Sequence, residues 1–232
     1  MQTVPALLVV ARHAESVRNL AKAGQVFFPD PEARRGLEGE ADHAAGLTQR
    51  GREQALDLGE RLRDAFGSFD LVYHSGYRRA RETAELALEV MVAGEAPMPV
   101  REHVFLRERD AGYTFNMTRD EAEAAFPWLQ EYWRAVGPFY ARPPGGESLA
   151  DVVLRVQQFF ELMERELAGK RVLLVTHAGT VQTIRFLLEG WTHDEAPMRW
   201  QREPVGNAAP LAYEAAGGKL QRVPNDPGRL PW

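Results

Sequence analysis

The chain has 232 residues, of which 44% are hydrophobic and 26% charged, and its formal net charge is −5. These values are typical of a globular protein and indicate no basic surface of the kind that binds nucleic acid. The absence of cysteine excludes disulfides, thiolate metal ligands and a cysteine nucleophile. No apolar run reaches the roughly 20 residues that span a bilayer, and residues 1–5 lack the basic stretch of a secretory signal. We therefore expect a cytoplasmic protein that binds neither membrane nor nucleic acid.

Short apolar runs alternate with helical patterns along the chain. Residues 6–11 form a continuous apolar run, as in a parallel strand covered on both faces, and residues 47–66 place apolar side chains at helical spacing behind Thr48, a suitable N-cap. Further strands are predicted at 70–75, 99–105 and 171–177, a hairpin at 211–223, and helices at 78–91, 148–167 and 179–190. This alternation predicts an α/β fold, a three-layer α/β/α sandwich around a mostly parallel sheet.

Two segments interrupt this alternation. Residues 20–46 mix glycine, proline and charge and are predicted to form a long loop, and residues 113–147 combine a helical pattern with many aromatic residues. Long excursions from an α/β sheet usually form the rim of a binding site, so we expect 113–147 to be a helical insertion over the site. We favour a local core of this insertion over ligand contact for Phe126, Trp128, Tyr132, Trp133, Phe139 and Tyr140.

A histidine follows two of the predicted strands in matching contexts. Residues 7–16 read LLVVARHAES and residues 172–180 read VLLVTHAGT, so His13 and His177 each come directly after a buried run. Because ligands of open α/β sheets bind beyond the carboxyl ends of the strands, we expect both histidines at one edge of the sheet. A single histidine at a strand end is usually structural, but two, one of them preceded by Arg12, indicate a functional site.

Two kinds of ligand suit these residues. His13, Glu15 and His177 are residue types that bind metal ions, but the positive charge of Arg12 beside the first would oppose a cation. A phosphoryl group fits better, because arginine offers planar bidentate donors and the helix predicted after His177 presents free N–H groups to an anion. A neutral histidine in such a pocket can attack phosphorus and carry the phosphoryl group covalently.

Several blocks of the sequence resemble, in order, motifs of the histidine phosphatase superfamily, the phosphoglycerate-mutase-like proteins. RHAESVRN at 12–19 is similar to the family's Arg-His-Gly-Glu-x-x-x-Asn signature. The other blocks are LTQRGREQALDLGERL (47–62), SGYRRARETA (75–84), LRERDAG (106–112), PGGES (144–148), LLVTHAGTVQ (173–182) and GNAAPLAYE (206–214). The resemblance covers nearly the whole chain and implies a single histidine phosphatase domain over residues 1–232.

The resemblance also implies roles for the residues that match these motifs. His13 is the expected nucleophile and becomes a phosphohistidine. Arg12 and Arg79 are expected to clamp the phosphoryl oxygens, and His177 to donate a further hydrogen bond to them. Glu108 is the expected general acid, which protonates the departing alkoxide and then activates water as a base. We expect no cofactor and no metal ion.

Two further positions of the first block concern the same pocket. Asn19, at its end, is expected to line the phosphate site. Ala14 stands where the family usually has glycine, and if that position required a positive φ, alanine would be strained by about 1–2 kcal/mol. Arg78 and Arg81, the neighbours of Arg79, are expected to be solvated because they point elsewhere on the predicted helix.

Three functions fit these assignments. We favour hydrolysis of a small phosphomonoester, because residues 108–112 read ERDAG where the glycolytic mutases have Glu-Arg-His-Tyr-Gly, and a carboxylate at Asp110 would not help to bind a polyanion. The alternative is a phosphoglycerate-type mutase. The third, from another class, is a non-catalytic module that binds a phospho-ligand or a protein. A homo-oligomer is left open, since one sequence does not show the oligomeric state.

Overall fold

The computed structural model describes residues 4–92 and 97–223, which contain a six-stranded sheet. The strands are β1 (Leu7–Arg12), β2 (Leu71–His74), β3 (Val100–Glu102), β4 (Arg171–Thr176), β5 (Pro210–Ala216) and β6 (Lys219–Arg222). Their order in the sheet is β3-β2-β4-β1-β5-β6. The first four strands in this order pair in parallel, whereas β5 pairs antiparallel with both β1 and β6. The mostly parallel sheet that the sequence predicts is therefore confirmed.

Helices cover both faces of the sheet. They are α1 (Val17–Ala21), α2 (Pro31–Arg34), α3 (Gln49–Phe66), α4 (Arg78–Met91), α5 (Arg119–Ala125), α6 (Leu129–Val136), α7 (Leu149–Leu167), α8 (Ala178–Glu189) and α9 (Glu195–Arg202). The hydroxyl of Thr48 accepts from the amide of Gly51 at 2.9 Å, and Ser148 forms a capping box with Asp151, so both long helices begin where the sequence places their caps. No helix of the described residues is long and apolar enough to cross a membrane.

The alternating side chains of the central strands divide the core into two layers. Leu7, Val9 and Ala11 of β1 pack with buried residues of α3 and α4, whereas Leu8 and Val10 pack with those of α7 and α8. Successive side chains of a strand point to opposite faces, so one continuous apolar run serves both layers. This packing fixes β1 and β4 side by side and holds the residues that follow them at one edge of the sheet.

The strand predicted at 99–105 is shorter than expected. Only Val100–Glu102 is a strand, and the chain then turns into a 3₁₀ helix at Val104–Leu106. The side chain of His103 accepts a hydrogen bond from the amide of Phe105, which caps this turn. Since β3 is an edge strand with all three residues exposed, no core packing opposes its early end.

The insertion at 113–147 lies against the loop 20–46 and reaches the site at one point. Phe28 of the loop bridges to Thr118, and Arg34 forms an ion pair with Glu121 of α5. Of residues 113–147, only Phe115 lines the cleft described below. The insertion therefore supports the loop at the rim of the site rather than covering the site with its helices.

The prediction that the aromatic residues of this insertion form a local core is wrong for several of them. Trp128, Trp133 and Tyr140 are exposed, whereas Phe139 is buried against α8 and Trp191. The reason is that α6 has only eight residues and buries only Leu129, so the rings around it stay on the outer surface. None of these aromatic residues lines the cleft near His13.

Candidate active site

His13 directly follows strand β1 and is fixed at the edge of the sheet by backbone hydrogen bonds. The amide of His13 donates to the carbonyl of Thr176 at the end of β4 (2.7 Å), and its carbonyl accepts from the side chain of Asn207 at 3.0 Å. The ring is 2% exposed, and its Nδ1 lies 2.7 Å from the carbonyl oxygen of Ala14. Because a carbonyl oxygen only accepts, the proton of the neutral ring is on Nδ1 and Nε2 keeps its lone pair.

Burial and nearby positive charge keep His13 neutral. Burial lowers the pKa of His13 well below its usual range, and the charges of Arg79 and Arg12 act in the same direction. The hydrogen bond to Ala14 opposes this shift. An unprotonated Nε2 is the form of histidine that can act as a nucleophile.

His177 follows β4, the neighbour of β1, and its ring lies beside that of His13. The ring centroids are 5.0 Å apart in an edge-to-face arrangement. Nε2 of His177 lies 2.7 Å from Oγ of Ser75, which also accepts from the amide of Tyr77. Either Oγ of Ser75 or Nε2 of His177 can be the donor in this contact, and when the hydroxyl donates, the ring proton of His177 is on Nδ1. That Nδ1 is buried and has no hydrogen-bond partner among the described residues.

Arg79, in the first turn of α4, connects His13 to the loop 20–46. Its Nε donates to Nε2 of His13 at 3.3 Å, and the same guanidinium binds the carboxylate of Asp42 through Nη1 and Nη2 at 3.3 and 3.1 Å. Arg79 is 5% exposed, whereas its neighbours Arg78 and Arg81 are about half exposed and paired with glutamates of their own helix. Arg79 is therefore buried in the site while Arg78 and Arg81 face solvent, as their spacing on a helix predicts.

Arg12, the last residue of β1, also lines the cleft next to His13. Its Nη1 donates to the carbonyl of Val205 at 2.7 Å, which fixes the direction of the guanidinium. Its Nε is buried and has no hydrogen-bond partner among the described residues. Buried N–H groups in proteins are nearly always paired, so Arg12 Nε is suited to donate to an anion bound in the cleft, and His177 Nδ1 is suited to do so when it carries the ring proton.

Glu108 lines the cleft from the loop after the 3₁₀ helix Val104–Leu106. Its carboxylate accepts from the amide of Arg109 at 2.8 Å and from the amide of Gly179 in the first turn of α8 at 3.4 Å. A Cβ atom at position 179 would lie 2.6 Å from Oε1 of Glu108, so only glycine allows this approach. Two backbone amides thus fix the position of this carboxylate in the cleft.

Asn19 lies in the cleft, but Glu15 does not. Oδ1 of Asn19 caps α1 by accepting from Ser16 and also accepts from Asn207 at 3.3 Å. Glu15 binds the hydroxyl of Thr48 at 2.8 Å and pairs with Arg50, which holds the N-terminus of α3. Among residues 4–92 and 97–223, no group of three or more His, Asp or Glu side chains is arranged to hold a metal ion.

Sequence reasoning missed several residues that line the cleft, which has a volume of about 390 Å³. Arg18 is 5% exposed, its guanidinium pairs with Asp42, and Lys22 lies on the same side of the cleft. His43, which the sequence left without a role, lies at the rim with its ring 6.3 Å from that of Tyr77. Lys22, Asp42 and His43 lie in the loop 20–46, which only the fold brings against α4, and Arg18 is at a variable position of the block 12–19, so the sequence assigned none of them to the site.

The chain is similar to proteins of known family. A relative from Methylobacterium radiotolerans, named 2,3-bisphosphoglycerate-dependent phosphoglycerate mutase, is 35% identical over 211 residues, which cover 89% of this chain and 88% of that protein. A relative with the same name from Methylorubrum populi is 32% identical over 80% of each chain.

Solved structures of phosphatases share the fold. A mycobacterial glucosyl-3-phosphoglycerate phosphatase in complex with inorganic phosphate has 25% identity and a TM-score of 0.67 over 94% of each chain. The alpha-ribazole phosphatase of Shigella flexneri has 24% identity and a TM-score of 0.72, also over 94% of each chain. The sequence model of the histidine phosphatase superfamily (branch 1) matches residues 8–225. This match and the relatives above show that the chain belongs to the histidine phosphatase superfamily, branch 1.

Proposed function

We propose that the chain transfers phosphoryl groups of small phosphorylated metabolites through a phosphohistidine at His13. The observation that carries this proposal is the state of His13. Its ring is neutral, its Nδ1 is bound to the carbonyl of Ala14, and its unprotonated Nε2 lies beside the guanidinium of Arg79. Arg12 and His177 each have a buried side-chain nitrogen without a partner among the described residues, and phosphoryl oxygens would accept from Arg12 Nε and from the Nδ1–H tautomer of His177.

The first step forms the phosphohistidine. Nε2 of His13 attacks phosphorus, and the bond between phosphorus and the ester oxygen breaks. Arg12, Arg79 and His177 balance the charge that spreads over the three other phosphoryl oxygens. Glu108, in its protonated form, gives its proton to the departing alkoxide. In the second step the ionised Glu108 takes a proton from the next acceptor hydroxyl, whose oxygen attacks phosphorus and releases His13.

The acceptor in the second step decides between mutase and hydrolase. The relatives that are 29 to 35% identical over most of the chain are named phosphoglycerate mutases. These names favour a mutase over the hydrolase that the sequence alone favours. The cleft supports an anionic substrate, since Arg18 and Lys22 line it in addition to Arg12 and Arg79. A phosphoglycerate-type mutase is therefore the leading candidate.

Hydrolysis is the second candidate, and a specific observation favours it. Asp110 and Ala111 line the cleft at the positions where the resemblance to the glycolytic mutases fails. A carboxylate there repels a polyanion, and a methyl group leaves space for water. Hydrolysis also agrees with the phosphatase whose structure with phosphate is 25% identical.

One experiment tests the shared first step and then separates the candidates. The protein is mixed with 3-phosphoglycerate labelled with ³²P, quenched in milliseconds and mapped, with His193→Gln as the exposed-histidine control. We expect an acid-labile, base-stable label on His13 that is absent in His13→Gln and retained in His193→Gln. A label on another residue would overturn the proposal. Formation of 2-phosphoglycerate faster than free phosphate, with 2,3-bisphosphoglycerate present, identifies the mutase, and the reverse order identifies the hydrolase.

The proposed reaction at His13 needs no metal ion. The positive charges that would bind the phosphoryl group come from Arg12 and Arg79, whereas Glu15 is turned away to the N-terminus of α3. The third interpretation, a non-catalytic binding module, is disfavoured because His13, Glu108 and both arginines line a single cleft.

A further inference from the structure

The carboxylate of Asp42 occupies the space between two arginines of the cleft. Its Oδ1 lies 3.3 Å from Nε of Arg18 and 3.3 Å from Nη1 of Arg79, and its Oδ2 lies 3.1 Å from Nη2 of Arg79. One carboxylate oxygen therefore touches the guanidinium assigned to the phosphoryl group and a second guanidinium that the proposed reaction does not use. The protein itself thus shows that a carboxylate fits at this point.

Arg18 is held in place by groups that leave one edge of its guanidinium for an anion. The guanidinium lies against the rings of Phe28 and Phe115, at 5.7 and 5.2 Å from their centroids. Nη1 donates to the side chain of Asn116 and Nη2 to the carbonyl of Glu40, both at 3.2 Å. Nε makes no hydrogen bond among the described residues, although it forms an ion pair with Asp42, and the charge of Glu40 also acts on this guanidinium. Arginine so fixed is suited to recognise a carboxylate.

Lys22 adds a second positive charge on the same side of the cleft. Its ammonium group donates to the carbonyls of Val26 and Phe115 at 2.7 and 2.9 Å and lies over the ring of Phe28, and its third N–H has no acceptor among the described hydrogen bonds. Burial lowers the pKa of Lys22 to about 8, and the charge of Arg18 acts in the same direction. Arg18, Lys22 and Arg79 thus crowd positive charge around the one carboxylate of Asp42, and a bound anion would relieve this repulsion.

Asp42 is able to leave this position. It lies in the loop 20–46, at the start of the 3₁₀ helix Asp42–Ala44, and its side chain is 33% exposed. Its carboxylate does not cap that helix, so moving the side chain breaks its ion pairs with Arg18 and Arg79. The backbone carbonyl of Asp42, which accepts from Nη1 of Arg79 at 2.6 Å, keeps its place when only the carboxylate moves.

We propose that Arg18 and Lys22 form a subsite for a carboxylate of the substrate, and that the substrate displaces Asp42 from Arg18 and Arg79 when it binds. The phosphoryl group then pairs with Arg79 while the carboxylate takes the place of Asp42 on Arg18. Because one oxygen of Asp42 touches both arginines, a phosphomonoester of a short hydroxy acid spans the two positions. This inference rests on the proposed phosphoryl site and names the class of substrate for it.

The test compares two ligands that differ in the carboxylate. Binding of 3-phosphoglycerate and of glycerol 3-phosphate is measured by calorimetry in the His13→Gln background, so that no turnover intervenes. In Arg18→Met, which keeps the contact of the side-chain stem with Phe28 and Phe115, we expect the affinity for 3-phosphoglycerate to fall about 10- to 100-fold. The affinity for glycerol 3-phosphate should change by less than about threefold, because this ligand has no carboxylate to contact Arg18.

Two further variants complete this test. Lys22→Met should weaken binding of 3-phosphoglycerate selectively as well, and it serves if Arg18→Met does not fold. Arg81→Met, an arginine on the exposed side of α4, should leave both affinities unchanged. Equal losses for the two ligands in Arg18→Met and Lys22→Met, or no loss for either ligand, would overturn the subsite.

Asp42→Asn tests the displacement separately. If the substrate must remove Asp42 from both arginines, loss of its charge should tighten binding of 3-phosphoglycerate several-fold. Weaker binding in Asp42→Asn would show that Asp42 positions the arginines for the ligand, and would overturn the displacement. Phosphate labelling of His13 is read independently: selective binding without a label would contradict the proposed function alone, and a label without selectivity would contradict the subsite alone.

Discussion

Arg79 donates its Nε–H to Nε2 of His13 at 3.3 Å, so the side chain assigned to hold phosphate also touches the lone pair assigned to attack it. This contact has two consequences. It fixes the ring in the plane from which Nε2 faces the cleft, and it places a positive charge where a proton on Nε2 would sit. The second effect favours the neutral form of His13.

The neutral state of His13 gives a prediction for its titration. Since burial and the charge of Arg79 lower the pKa of His13 well below 6.5, its ring should stay neutral as the pH falls from 8 to 6. In Arg79→Met the pKa should rise, but only in part, because burial is the larger cause. Nuclear magnetic resonance of the imidazole C–H groups measures this directly, with the His13 signal assigned from His13→Gln. Protonation of His13 above pH 6.5 in the unchanged protein would contradict this account.

Glu108 gives a prediction based on the leaving group. In Glu108→Gln the first turnover of alkyl phosphomonoesters should slow by about 10²–10⁴-fold, since an alkoxide must be protonated as it leaves. p-Nitrophenyl phosphate should lose much less, because p-nitrophenolate leaves without a proton. Single-turnover rates of phosphoenzyme formation measure both. Glu53→Gln, an exposed carboxylate of α3, is the control, and an equal loss for both esters would remove Glu108 as the acid.

Gly179 gives a prediction about the position of the same carboxylate. In Gly179→Ala the new methyl group would lie 2.6 Å from Oε1 of Glu108 and push the carboxylate away. A displacement of about 1 Å can cost roughly 10²-fold in rate, so alkyl esters should react far more slowly while p-nitrophenyl phosphate is largely spared. Gly36→Ala is the matched control, because a Cβ there meets nothing within 4 Å. Normal rates with alkyl esters in Gly179→Ala would contradict the placement of Glu108.

The chemistry proposed for the cleft also predicts resistance to chelators. The positive charge around the phosphoryl group comes from Arg12 and Arg79, and the described residues hold no metal-binding cluster. Turnover of p-nitrophenyl phosphate should therefore persist after dialysis against EDTA and should not rise on addition of zinc or magnesium. Loss of activity with EDTA and its recovery with a metal ion would contradict this prediction and indicate that His13 and His177 bind a metal ion.

Part of the site could be predicted because it depends on the sheet. His13 and His177 follow buried strands, and the carboxyl ends of neighbouring parallel strands meet at one edge, so pattern alone places the two rings together. Arg79 could be separated from Arg78 and Arg81 by helical spacing. These relationships are local or follow from a general rule of the fold.

The other residues of the site are brought together by contacts between loops, and loops have no regular spacing of residues from which such contacts could be predicted. Asp42 reaches Arg18 and Arg79 only because the loop 20–46 folds over α4. The prediction of a local core from the aromatic residues near α6 was wrong for a related reason. The sequence contains many of them, but the short helix α6 buries only Leu129. Burial is decided by which element packs on another, and a single sequence does not show that for an insertion.

The last prediction concerns Ala14, where the family usually has glycine. Ala23 and Ala208 are the non-glycine residues with positive φ among those described, so Ala14 has a negative φ and carries none of the strain considered from the sequence. Its methyl group is fully buried against the layer of α3 and α4, and its amide donates to Thr83 at 3.0 Å. Ala14→Gly should therefore lower the free energy of unfolding by about 1–2 kcal/mol, through a small cavity and a freer unfolded chain.

The same substitution at Ala23 should have the opposite sign. Ala23 is exposed and has φ of 48°, a conformation that costs alanine about 1–2 kcal/mol and glycine almost nothing. Ala23→Gly should thus leave stability unchanged or raise it by up to about 1 kcal/mol, since the freer unfolded chain offsets part of the relief. Urea unfolding of both variants measures the two changes against one reference, and labelling of His13 checks that the site remains. If Ala14→Gly were the more stable variant, the residue after the nucleophile would be strained after all.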